Sequence, residues 1–214
     1  METFVPIKKC IPKWFKDTLP SYGITPNFFD KKSTFKACTP FIDALTTGYA
    51  LTLPGDLLCE YDDNQVPFFT WGQPDVTIVT SRSVETLGKL PWPQEFYPAG
   101  YAWKLNTFLS LPKGYSFLVT HPLNRVDLPF YTLSGVVDGY DLGDGNIPFF
   151  LKTGFTGLIP IGTPIAQIIP FKRENWKTIR DIKVKEKADI NRRKATSVFK
   201  GWYKSNIWKK KTYE

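Results

Sequence analysis

A mainly β fold, a sandwich or barrel-like domain with an extended N-terminal arm and a basic C-terminal helix or tail, is what this sequence predicts. Three observations lead there. Between Pro112 and Trp176, short runs rich in Val, Ile, Phe, Tyr and Leu alternate with Pro, Gly, Asn and Asp, the pattern of strands separated by tight turns. All 18 prolines lie at or before Pro170, and 14 of the 15 glycines precede it too. Residues 171–214 hold 15 Lys and Arg against 5 Asp and Glu, whereas residues 1–170 hold 13 against 15. A near-neutral, Pro- and Gly-punctuated body is thus joined to a basic, proline-free tail, and the net charge of +8 belongs to the tail. The expected organisation is an arm over residues 1–36, a β-rich domain over 37–176 and a basic helical tail over 177–214.

Each element has a local reason. In the arm, Pro6, Pro12, Pro20 and Pro26 exclude a long helix, because proline restricts its own φ and the residue before it. Trp14, Phe15, Tyr22, Phe28 and Phe29 make free disorder costly, so the arm is expected to pack across the body. Thr39 to Thr47 reads as a short helix with Thr39 as cap, Pro40 at its first position and Gly48 as its end. Strands are expected at Tyr49–Leu53, Asp56–Tyr61, Phe68–Trp71, Asp75–Thr80, Trp103–Leu109, Ser116–Thr120, Tyr131–Val137, Pro148–Lys152, Gly157–Ile159 and Ala166–Phe171. Pro91 to Pro98 is a loop, and Asp141 to Asn146 is the strongest turn, since Gly143 and Gly145 permit positive φ. Beyond Phe171 the pattern turns helical: Ile179 and Ile182 stand three apart, and Ala195, Val198, Phe199 and Trp202 follow i, i+3, i+4, i+7 spacing, with a break expected at Gly201.

Composition narrows function. No stretch approaches the roughly 18 apolar residues that span a bilayer, and Met1 to Lys13 lacks a signal-peptide core. The expected setting is intracellular, without secretion through a signal peptide. Cys10, Cys38 and Cys59 have no CxxC spacing and read as small hydrophobes. His121 is the single histidine, which excludes multi-His metal sites and two-imidazole relays. A nucleophile pair with Cys38, Cys59, Ser116 or Ser134 has no supporting spacing, and a turn histidine bonded to backbone is the simpler reading. No cofactor and no metal is expected.

Candidate ligand-binding residues are His121, Asn124, Arg125, Asp127, Asp138 and Gln167. Asn124, Arg125 and Asp127 form either a binding loop or an Asx-type turn with a local ion pair. Gln167 falls inside an apolar strand, so its amide is either a structural bridge or a site residue. Arg173 and Glu174 read as a surface pair. Candidate partner-binding residues are Trp202, Tyr203, Trp208, Lys209, Lys210 and Lys211, where aromatics interleave with lysines. A protein partner or self-assembly is expected there, with nucleic acid as the other possibility.

Several ordered motifs stand together: Lys36 to Tyr49 (KACTPFIDALTTGY), Pro112 to Ser116 (PKGYS), His121 to Asn124 (HPLN), Ser134 to Asp138 (SGVVD) and Ile159 to Glu174 (IPIGTPIAQIIPFKRE). They resemble a phage and bacterial family catalogued as domain of unknown function 6065, which implies a phage or bacterial protein built as one β-rich unit. Gly135-Val-Val-Asp138 followed by Gly162-Thr-Pro-Ile-Ala-Gln167 is also similar to the trimeric dUTPase and dCTP deaminase group. That resemblance implies a nucleotide pocket at Asp138. The group's Arg-Ser-Ser phosphate motif has no counterpart, since Leu123 to Thr132 holds no serine. With the phage-family resemblance, the expected function is a non-catalytic structural or interaction protein of phage type, a virion or assembly component engaging neighbours through its aromatic-rich termini. The expected setting is then the host cytoplasm or the virion. The alternative is a small-molecule or nucleotide-binding β domain using Asp138 and Gln167.

Overall fold

The computed structural model describes residues 3–23, 32–91, 93–104, 109–138, 141–142, 145–197 and 201–214. In chain order the strands are β1 (Phe4–Pro6), β2 (Ser21–Tyr22), β3 (Lys32–Ser33), β4 (Tyr49–Thr52), β5 (Leu57–Tyr61), β6 (Pro67–Trp71), β7 (Val79–Arg82) and β8 (Gly100–Lys104). They continue as β9 (Leu109–Ser110), β10 (Tyr115–Thr120), β11 (Phe130–Thr132), β12 (Gly135–Val137), β13 (Asp141–Leu142), β14 (Asn146–Leu151), β15 (Gly157–Ile159) and β16 (Pro164–Lys172). The helices are α1 (Lys13–Asp17), α2 (Thr39–Thr46), α3 (Val84–Leu87), α4 (Ile182–Ser197) and α5 (Trp202–Asn206). The mainly β architecture that the sequence predicts is present.

An antiparallel sheet in the order β1-β4-β16-β10-β12 lies against a second in the order β11-β14-β8-β7, and a three-stranded sheet, β15-β5-β6, joins the same core. Strand alternation explains how they fit. Leu51, Phe117, Val119, Ala166 and Ile168 point inward from the first sheet and meet Tyr101, Trp103, Phe130 and Phe149 of the second. Trp103 stacks on Phe149 at 3.7 Å between ring centroids, and Phe130 meets its edge at 4.9 Å. Burying such aromatics contributes on the order of 2–3 kcal/mol each.

The outer face of the first sheet is covered as well. Cross-strand partners place Val5, Ala50, Gln167 and Thr120 in one row on that face. Val5, Ala50 and Ile7, the first residue of a 3-10 turn (Ile7–Cys10), form a second small core there. The N-terminal segment is therefore fastened by β1, the edge strand paired to β4, and by this apolar contact.

Most expected strands are found within a few residues. The differences follow tertiary partners. The run Tyr131–Val137 is two strands: β11 joins the second sheet, and β12 joins the first. Leu133 marks the crossing, its N–H donating to the Pro148 carbonyl. Strand β7 starts at Val79 rather than Asp75, because Val76 closes a turn onto Gln73. Strand β8 starts at Gly100, and the rest of the expected run, residues 105–108, lies outside the described residues, as do the centre of the Asp141–Asn146 turn and Phe28 and Phe29 of the arm. In α2 the cap position is Cys38, with no side-chain cap bond, rather than Thr39. Helix α4 starts only at Ile182, where the Asp181 carboxylate accepts from the Lys183 N–H at 2.9 Å. The expected stripe from Ala195 to Phe199 lies outside the described side chains. Gly201, at φ 99°, separates α4 from α5. Glu174 pairs with Lys172 at 3.1 Å rather than with Arg173.

Gly48 ends α2 with φ 78°, and a Cβ there would stand 2.2 Å from the Ile168 carbonyl oxygen. Both the backbone conformation and the approach to β16 require glycine. Gly48→Ala is expected to lower unfolding free energy by about 2 kcal/mol or more in urea titration. A loss under about 0.5 kcal/mol would show that β16 yields at little cost.

Candidate functional site around His121 and Gln167

Residues 121–132 connect β10 of the first sheet to β11 of the second, and side chains from both sheets fix this connection. Pro122 to Arg125 is a β-turn closed by the Arg125 N–H on the Pro122 carbonyl at 3.1 Å. Asn124 takes its left-handed position, φ 61°, a conformation that asparagine tolerates better than most residues. The turn, together with Glu95, Phe96, Tyr131 and Lys152, lines a cavity of about 350 Å³. The bridge between Phe96 and Lys152 brings the 93–98 loop to it.

His121 lies in the wall. Its Nδ1 accepts the Thr132 backbone N–H at 3.2 Å, so the ring proton sits on Nε2, which donates to the Arg125 carbonyl at 3.0 Å. The ring stacks on Tyr131 at 5.0 Å. Burial pushes the imidazole below its ordinary value, and the nearby Arg125 and Lys152 charges act in the same direction. Both nitrogens are committed to backbone groups, so neither is left to activate a nucleophile. The turn-histidine reading of the sequence describes this geometry.

Gln167 is fully buried. Its Oε1 accepts from the Leu123 N–H at 2.8 Å, and its Nε2 donates to the Ala44 carbonyl at 3.0 Å and the Thr47 carbonyl at 2.7 Å. The opposite amide orientation would set a donor against a donor. The side chain bridges β16, the end of α2 and the 121–125 turn, which is the structural one of its two sequence readings.

Arg125 forms a fork with Asp127, Nε to Oδ1 at 2.8 Å and Nη2 to Oδ2 at 2.9 Å, while Nη1 reaches the Cys10 carbonyl at 3.2 Å. Burial raises the Asp127 carboxyl, but the Arg125 hydrogen bonds and charge, aided by the Trp14 indole, bring it below its ordinary value. This is the local pair expected, with an added tether to the N-terminal segment.

Asp138 does not join this group. It is exposed and accepts from the Ser116 hydroxyl. In the strand register Gln167 stands opposite Thr120, whereas Asp138 lies beside Ser116 on the far side of β10. Four residues along a strand separate them by about 13 Å. The alternative reading, a β domain that uses Asp138 and Gln167 together, has its two residues on opposite sides of β10 in this register. Thr132, fully buried, was not a candidate from sequence: its hydroxyl accepts from the Trp103 indole at 3.1 Å and donates to the Ile165 carbonyl at 2.6 Å. No periodic signal distinguishes it from its strand neighbours. Glu95 and Lys152 were also missed, because only folding brings their distant segments together.

The C-terminal candidates divide. Trp208 donates its indole N–H to Asp43 of α2 at 2.9 and 3.0 Å, and the Lys211 ammonium reaches the same carboxylate at 2.5 Å. Burial raises the Asp43 carboxyl, but Lys211 and Trp208 outweigh it and bring it below its ordinary value. Tyr213 meets the edge of Tyr49 at 5.7 Å and its carbonyl accepts from Lys8. Trp202 is half-buried, while Tyr203, Lys209 and Lys210 are exposed. By contrast, residues 173–188 are exposed throughout, Trp176 at 86% and Ile179 at 81%. Among the described residues no helix is long and apolar enough to cross a membrane, and no group of three His, Cys, Asp or Glu side chains is placed to hold a metal ion.

No family model matches the chain, and no curated protein matches it.

Two outcomes follow from the committed polar groups. Gln167→Leu leaves an N–H and two carbonyls unpaired, and is expected to cost about 2–4 kcal/mol in thermal or urea unfolding. His121 titrates in the folded protein below its ordinary 6.5. The unfolded chain therefore takes up the proton first as pH falls, and the stability due to His121 is present above pH 6.5 and lost as pH drops beneath it. Stability curves of wild type and His121→Phe should approach each other as pH falls from 7 towards 5; parallel curves would refute the neutral, buried histidine.

Proposed function

We propose that this chain is a non-catalytic structural or interaction protein of phage type, acting as a virion or assembly component. It engages a macromolecular neighbour through the exposed segment from Arg173 to Lys194. The observation that supports this reading is a contrast in how polar and apolar groups are used. Around the cavity, His121, Gln167, Thr132 and Arg125 spend their hydrogen-bonding capacity on the protein itself. Outside the body, Trp176, Ile179, Ile182 and Val184 stand in solvent among lysines and arginines. Large apolar side chains grouped in water suit a contact surface. The resemblance of the Lys36 to Trp176 motifs to a phage and bacterial family supports the virion or assembly setting.

The sequence candidates for partner contact take a different part in this reading. Trp208 and Lys211 anchor the end of the chain on Asp43, so the exposed segment is held at both ends, by β16 and by this anchor. A small-molecule role for the cavity beside His121 is the second reading, favoured by its volume of about 350 Å³ and by the exposed Asn124 at its rim.

The test is recovery of the chain with particles purified from the producing culture. Replacing Trp176, Ile179, Ile182 and Val184 by Ser is expected to leave the melting temperature unchanged and to lower recovery on the order of tenfold, a loss of ~1.4 kcal/mol in binding. Asn124→Gly, a cavity variant that keeps the left-handed backbone position and removes a side chain at the rim, should leave recovery as in wild type. The opposite pattern, with a small molecule stabilising wild type but not the cavity variant, would replace the first reading by the second.

A further inference from the structure

We propose that the exposed segment from Arg173 to Lys194 binds single-stranded nucleic acid; this rests on the reading of that segment as the contact surface and names its partner. Residues 173–194 carry nine Lys and Arg against four Asp and Glu. Lys177, Arg180, Lys183, Lys185 and Lys187 are exposed, and among the described residues none of them has an acidic side chain within ion-pair distance. Helix α4 carries Lys183, Lys185 and Lys187 at steps of two, about 200° apart in an α-helix, so its lysines stand on two opposite sides instead of forming one stripe. Its 16 residues make a rod about 24 Å long.

This distribution separates the classes of partner. A membrane-surface helix needs one apolar face, opposite its basic face; here Ile182 and Val184 stand two residues apart with Lys183 between them, and no such face forms. A second copy of this chain is poor in charge for the purpose, since residues 1–170 hold 13 basic against 15 acidic residues. A polymer with one negative charge per nucleotide matches a segment with more than twice as many basic as acidic residues, its lysines not confined to one face. The aromatic component points the same way. Trp176 is 86% exposed in a stretch, residues 173–181, with no helix or strand. An isolated indole outside helix and strand offers a flat surface to an unpaired base, a contact indifferent to base identity. Bases of a duplex are already stacked on each other and do not offer that face, which is why the single strand is preferred.

The experiment uses the full chain and a fluorescein-labelled oligothymidylate of about 20 nucleotides, followed by anisotropy across a salt series. Wild type should bind with an affinity that falls linearly on a log–log plot against salt. Changing Lys177, Arg180, Lys183, Lys185 and Lys187 together to Gln should weaken binding by tenfold or more and flatten that slope. Trp176→Ala should weaken binding about threefold or more with the slope kept, a split that a purely electrostatic contact does not produce. Poly-glutamate and vesicles with anionic phospholipid serve as the other partner classes. Stronger binding to either of those than to the oligonucleotide, or an oligonucleotide affinity untouched by both variants, would overturn the proposal. In that event, loss of particle recovery in the serine variants would still uphold the contact surface, and its retention would reject both.

Discussion

The buried hydrogen bonds between residues 121 and 132 hold the two sheets in register. Thr132 is the centre: its N–H goes to His121, its hydroxyl accepts from Trp103 in the second sheet and donates to Ile165 in the first. Gln167 continues the chain of contacts outward, to the 121–125 turn and to the carbonyls at the end of α2. Thr132, Trp103, Ile165 and Gln167 are buried, and an unpaired donor or acceptor there costs about 1–3 kcal/mol. Hydrophobic burial brings the sheets together but tolerates many packings. The directional bonds select one of them, and they also set where the end of α2 meets the sheet.

That constraint bears on chemistry. A histidine whose two nitrogens face an N–H and a carbonyl has no freedom to move a proton to a ligand. An arginine forked onto Asp127 and tied to the Cys10 carbonyl has little charge to offer beyond its pair. The cavity beside them is real space, and His121 and Arg125 are employed in holding its walls. The residue types that suggest a site and the residue types that build a rigid polar crosslink are the same, and only their partners tell them apart.

Charge is arranged on a different principle. The body is nearly neutral while the last 44 residues concentrate the positive charge. The end of that tail returns to the body, where Trp208 and Lys211 share the Asp43 carboxylate and Tyr213 covers Tyr49. The part between leaves and comes back, so its apolar and basic side chains are presented to the outside by two fixed ends. Holding both ends limits the conformations available to the segment and lowers the entropy it loses on meeting a partner.

Much of this was legible beforehand. The alternation of β-branched and aromatic residues with Pro, Gly and Asn placed β5, β10, β15 and β16 to within a residue or two, because strand pleat and turn conformation are local properties. The charge break near Pro170 and the glycine stop at Gly48 were equally local. What the sequence left undecided depended on distant partners. The run Tyr131–Val137 reads as one strand, since alternation does not say which sheet each half joins. Gln167 reads equally as bridge or ligand group until Leu123, Ala44 and Thr47 are found around it. Asp138 and Gln167 look like a pair along the chain and are held apart by β10, because pairing register is fixed by the sheet as a whole and not by either segment. By itself, then, the sequence determined the strand pattern, its turns and the division of charge; tertiary structure alone decided which polar side chains are consumed in the core and which remain free to meet another molecule.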